Sequence, residues 1–61
     1  MLTRQSIIRF LRKAGDGKKN ISKFNKFFKN KNDFIAKDEV KIFFEELFPQ
    51  KNYYELLVGK S

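Results

Sequence analysis

The stretch KKNISKFNKFFKNK, residues 18–31, carries both the strongest apolar stripe and the densest positive charge of the chain. At about 100° per residue, Ile21, Phe24, Phe27 and Phe28 share an arc of about 120°, with Lys23, Lys26 and Lys29 on the opposite side. One face needs a core and the other suits an anion. Asn20 or Ser22 is placed to cap this helix, which is expected to run to about Asn30.

Working outward, the segment before it predicts a helix from Arg4 to Ala14. Thr3 is its expected N-cap, and Leu2 and Ile7 are spaced as a hydrophobic staple. Ile7, Phe10, Leu11 and Ala14 make one stripe with Ile8 at its edge, and Arg9, Arg12 and Lys13 lie opposite. Gly15 is expected to end this helix in the left-handed region, with Gly17 loosening the connector. That connector is no phosphate loop, because the P-loop spacing is absent.

After the polar run KNKND a third helix is expected over Ala36 to Leu47. Ala36, Val40, Phe43, Phe44 and Leu47 follow the helical spacing i, i+4, i+7, i+8, i+11. Asp38 and Glu39 suit its positive N-terminal dipole, and Pro49 stops it. Ile42 and Phe48 fall off the stripe, so this helix is expected to meet neighbours on more than one side. Asn52 and Glu55 have the reciprocal spacing of a capping box, which predicts a short fourth helix with Tyr53, Leu56 and Leu57 facing one way and Gly59 ending it. A strand is the alternative for YYELLV, because tyrosine and valine favour sheets. The expected fold is all-α: one small basic helical domain over residues 1–61, a three-helix bundle with a short fourth helix.

At 61 residues the core is near the smallest that folds alone. With eight Phe, two Tyr, no Trp, no Cys and no His, neither a disulfide nor the usual zinc ligands supplement it. Phe24, Phe27, Phe28, Phe43 and Phe44 are expected in the core rather than as stacking platforms for bases, while one of Phe34, Tyr53 and Tyr54 is expected on the surface. No apolar run spans a bilayer, and the arginines of residues 1–14 interrupt any signal-peptide core. A soluble, unprocessed, cytoplasmic chain is expected. Lys, Asn, Ile and Phe fill 29 of 61 positions, all residues with AT-rich codons, which points to an AT-rich bacterial, phage or plasmid genome.

Catalytic chemistry finds no constellation. Glu45 and Glu46 are adjacent, as are Asp38 and Glu39, and adjacent helical residues point about 100° apart. Ser6, Ser22 and Thr3 lack a histidine to activate them and suit helix starts. The segment NKNDFIAKDEV is similar to the second half of an EF-hand loop, with Asn30, Asn32, Ile35 and Glu39 at the third, fifth, eighth and twelfth loop positions. Phe28 stands at its first ligand position and Asp33 replaces its turn glycine, so no metal and no cofactor is expected.

Charge is the remaining signal. The net +7 divides into ten Lys/Arg against Asp16 in residues 1–32, and four Lys against six Asp/Glu thereafter. Arg9, Arg12, Lys13, Lys19, Lys23, Lys26 and Lys29, with Lys18 among them, are the candidate phosphate contacts of a nucleic-acid-binding or regulatory module, with DNA favoured. The order of three helices resembles a helix-turn-helix, which implies a third helix in the major groove. Asp38, Glu39, Glu45 and Glu46 on that helix depart from the pattern. The second helix and the turn from Gly15 to Asn20 are therefore the expected contact surface, touching backbone rather than bases.

Two other partner classes follow from the same charges. An acidic protein, or a second copy meeting basic half to acidic half, is the first, and an exposed apolar patch around Phe34, Phe48 and Tyr53 would favour it. The second is an anionic membrane, since size, charge and lack of cysteine resemble those of leaderless helical bacteriocins.

Overall fold

A computed structural model describes residues 1–59. Its order is β1 (Leu2–Thr3), α1 (Arg4–Lys13), α2 (Gly17–Phe27), β2 (Phe34–Ile35), α3 (Lys37–Leu47) and α4 (Tyr53–Val58). Four helices dominate, as the periodicity predicts. The C-terminal segment is a helix and not a strand.

α1 starts as expected. The Thr3 hydroxyl accepts the Ser6 N–H at 3.2 Å, and Leu2 packs on the core to which Ile7 belongs. Its end is built differently from the expectation. Gly15 does take φ +69°, but α2 begins at once at Gly17, capped by the Asp16 carboxylate, which accepts the Lys19 N–H at 3.4 Å. Asn20 and Ser22 therefore do not cap α2. Asn20 lies one turn inside it, buried, and its side-chain amide donates to the Leu11 carbonyl at 3.4 Å and to the Ala14 carbonyl. It caps the end of the preceding helix, adding a donor to the Leu11 carbonyl, which also accepts the Ala14 N–H at 3.4 Å, and one to the Ala14 carbonyl. Gly17 does not loosen the connector either. A Cβ there would stand 2.6 Å from the Arg12 carbonyl oxygen, so a side chain is excluded where the two helices meet.

α1 and α2 form an antiparallel hairpin. At its open end Arg4 reaches back from the first residue of α1, donating to Asn25 Oδ1 at 3.0 Å and to the Asn30 carbonyl at 3.4 Å. Its guanidinium lies 4.8 Å from the centroid of the Phe24 ring. The pairing of β1 with β2, Leu2 opposite Ile35 and Thr3 opposite Phe34, was not expected from the sequence. An Arg4 N–H bond to the Asp33 carbonyl, 2.8 Å, extends it. Together these contacts fasten the start of the chain to residues 30–35 and fix where α3 begins.

α2 ends at Phe27, short of Asn30, and residues 28–36 lead to α3. This connection is longer than the three or four residues of a helix-turn-helix, so the tight turn joins α1 to α2 instead. α3 buries Val40, Phe43 and Phe44, and closes with the Phe48 N–H on the Phe44 carbonyl one residue before Pro49. α4 ends at Gly59, φ +73°, but Asn52 makes no side-chain cap bond, and Leu56 is exposed while Tyr53 and Leu57 pack inward.

One core joins all of this: Ile7, Leu11, Phe24, Phe28, Ile35, Val40, Phe43 and Phe44. A run of ring contacts crosses it. Phe43 meets Phe24, Phe27 and Phe28 at 5.8, 5.2 and 5.6 Å, while Phe10 meets Phe44 and Tyr53 at 5.8 and 5.7 Å. Tilted and edge-on pairs of this kind add about 0.5–1.5 kcal/mol each beyond their buried area. Phe27 departs from the core expectation: one side touches Phe28 and Phe43, and 44% of its surface is open. The radius of gyration, 10.5 Å, equals the value of about 10.5 Å that scaling gives for a globular chain of this length.

Candidate functional site

Arg9, Arg12, Lys13, Lys19, Lys23, Lys26 and Lys29 are all exposed. α1 presents its three on the side away from Ile7 and Leu11, because those two buried residues turn that side outward. α2 does the same with Lys19, Lys23 and Lys26 opposite Phe24. Within the two helices lie eight cations and no carboxylate, since Asp16 sits between them as a cap. Arg4 is the exception in role, being held over Phe24 and bonded to Asn25. The carboxylates Asp38, Glu39, Glu45, Glu46 and Glu55 lie on α3 and α4, so the sequence asymmetry becomes an asymmetry of helices.

The seven cations do not all have the same surroundings. Lys23 and Lys26 border a groove between α2 and α3, with Phe27, Phe43 and Leu47 in it and Glu46 on its α3 side. Lys26 and Lys29 border the adjoining cleft, about 830 Å³, where Met1, Phe27, Phe34 and Ile42 are exposed and Glu39 lies on the α3 side. Lys23 and Lys26 of α2, with Lys29 just beyond it, thus form the edge of an apolar seam, whereas Arg9, Arg12, Lys13 and Lys19 line neither hollow.

The patch around Phe34, Phe48 and Tyr53 that would favour a protein partner is exposed only in part. Phe34 is exposed, as one of the three named aromatics was expected to be, but Phe48 and Tyr53 pack on each other at 4.7 Å and against the core. Ile42, off the stripe of α3, and Phe27, on the stripe of α2, take their place. Ile42 was legible as an outlier; Phe27 was not, because its helix is covered by α3 only as far as Phe43 reaches.

Among the described residues no three of Asp, Glu, His and Cys gather into a possible cation site. The Thr3 and Ser6 hydroxyls bond each other at 2.7 Å as part of the α1 cap. No helix among the described residues is long and apolar enough to cross a membrane. Comparison with known proteins adds no relative: no family model matches the chain, no curated protein matches it and no solved structure matches its fold.

Proposed function

We propose that the chain is a non-enzymatic nucleic-acid-binding module, a small regulatory protein of the cytoplasm, that grips a phosphate backbone with α1 and α2. The observation that carries this reading is the pair of packed helices with seven exposed cations besides Arg4 and no carboxylate within either helix. Phosphates condense counterions, and a surface of clustered exposed cations gains affinity by releasing them. Duplex DNA is the favoured target. Its contacts fall on phosphates, which clustered exposed cations suit and which carry no sequence information. Arg9, Arg12, Lys13 and Lys19 supply the part of the surface that borders no apolar hollow, and Lys23, Lys26 and Lys29 extend it along α2. The acidic α3 stays out of the groove, because its carboxylates would meet phosphates.

The test is charge reversal away from the seam. Arg9→Glu, Arg12→Glu and Lys19→Glu in one protein should weaken binding to duplex DNA at least about tenfold at low salt, with the helical circular dichroism unchanged. Unchanged affinity in a folded variant contradicts the reading. A second reading, a protein-docking surface, is favoured by the exposed seam of Phe27, Phe34 and Ile42.

A further inference from the structure

The seam between α2 and α3 has an order across its width. Lys23, Lys26 and Lys29 run along the α2 side; Phe27, Phe34, Ile42 and Met1 lie in the middle; Glu39 and Glu46 run along the α3 side. Lys26 and Lys29 line the same cleft as Glu39, and Lys23 and Lys26 the same groove as Glu46, so the later lysines lie level with the start of α3 and the earlier ones with its end. A uniformly acidic partner would meet Glu39 and Glu46 along one whole edge. A partner with the same basic edge, apolar middle and acidic edge, facing the opposite way across the seam, meets no like charge.

We infer that the seam is an interface between two copies of this chain, related by a two-fold axis that runs along the seam. Such an axis exchanges the two edges, so the lysines of each copy face the glutamates of the other, and the apolar middles meet. A two-fold axis across the seam would instead set lysine against lysine. The size also fits. Met1, Phe27, Phe34 and Ile42 are 80, 44, 58 and 52% exposed, which amounts to roughly 450 Å² of mostly apolar surface. With both edges added, two copies bury about 1,200 Å², the lower end of specific interfaces. Arg9, Arg12 and Lys13 border neither hollow of the seam and stay open in the dimer. The inference rests on the docking reading; in the dimer Lys23, Lys26 and Lys29 are taken from the phosphate surface, which keeps Arg9, Arg12, Lys13 and Lys19.

The experiment is sedimentation equilibrium of the whole chain from about 10 µM to 1 mM, at about 300 mM salt, where contacts to phosphate are weak. The mass should rise from 7.3 kDa towards twice that value. Ile42→Glu and Phe34→Glu, at exposed positions, should each weaken the dimer at least about tenfold with the fold retained, which corresponds to about 1.4 kcal/mol. Two edge variants make the charge argument specific. Lys23→Glu, Lys26→Glu and Lys29→Glu together give a seam acidic on both edges, and Glu39→Lys with Glu46→Lys gives one basic on both. Neither should dimerise alone, and the two should associate when mixed. A monomer throughout, a dimer indifferent to Ile42→Glu and Phe34→Glu, or edge variants that do not combine would each overturn the inference. A soluble paramagnetic probe separates this failure from that of the docking reading. If the protein is monomeric and the probe reaches Phe34 and Ile42, only the second copy is wrong as occupant; if it does not reach them, the docking surface falls as well.

Discussion

Asn20 decides how closely α1 and α2 meet. Its amide supplies the Leu11 and Ala14 carbonyls at the end of α1, and it is buried while doing so. Removing that donor takes a bond from each carbonyl and leaves Leu11 only the Ala14 N–H at 3.4 Å, a loss of about 1–3 kcal/mol. Asn20→Ala should lower the urea midpoint by that amount at constant m-value, and Asn20→Asp should cost more by setting a carboxylate against two carbonyls. A loss under about 0.5 kcal/mol in either would show that water replaces the amide. Two glycines on either side of Asp16 give a paired test. Gly17 has the Arg12 carbonyl oxygen 2.6 Å from where a Cβ would stand, whereas Gly15 faces open space at φ +69°. Gly15→Ala therefore costs only left-handed strain, about 1 kcal/mol. Gly17→Ala must separate two backbones and should cost about 2 kcal/mol or more, with weaker Asn20 bonds. The reverse order, measured by thermal unfolding, would mean that the turn and not the helix contact sets the hairpin.

Among the helices α4 stands apart. It spans six residues and buries none fully, and Tyr53 is its ring anchor, against Phe10 and Phe48. Amide exchange should therefore be fastest in α4 and slowest around Leu11, Phe24 and Phe44, where side chains are fully buried. Protection of α4 equal to that of α3 would contradict this ranking. The helices were largely legible beforehand, because an apolar stripe that must face a core repeats at 3.6 residues wherever it occurs. Thr3, Gly15 and Pro49 marked ends correctly, since caps and breakers act locally. Asn20 misled because a polar residue ahead of an apolar run looks like a cap, and only the folded hairpin shows that its partners lie nine and six residues back. Two-residue strands have no period to read, so the pairing of Leu2 with Ile35 had no sequence signal. The exposed cations were legible from the stripes opposite them. Their division into a free set, Arg9, Arg12, Lys13 and Lys19, and an edge set, Lys23, Lys26 and Lys29, was not, because it depends on where α3 lies.

At the scale of the whole molecule, the chain separates its charges: a basic hairpin, +9 over residues 1–32, is packed against a half of −2. Separation of this kind has little to offer a core that is already apolar, and much to offer a surface meant for one sign of partner. The seam at the boundary carries both signs and exposed aromatics, and the rest of the hairpin surface carries cations with Asp16 as its one carboxylate. Two partners of different chemistry can thus be accommodated without competing for Arg9, Arg12 and Lys13. Salt distinguishes them, since phosphate contacts weaken steeply with ionic strength and an apolar seam does not. The most direct measurement is the fluorescence anisotropy of labelled duplex DNA titrated with the protein between about 50 and 300 mM salt. Engagement of about five phosphates by α1 and α2 gives a slope of log K against log salt near −4.5. Arg9→Glu, Arg12→Glu and Lys19→Glu together should flatten that slope. Absence of binding at about 50 mM salt, or a slope that the three reversals leave unchanged, would contradict a phosphate-binding role for the hairpin.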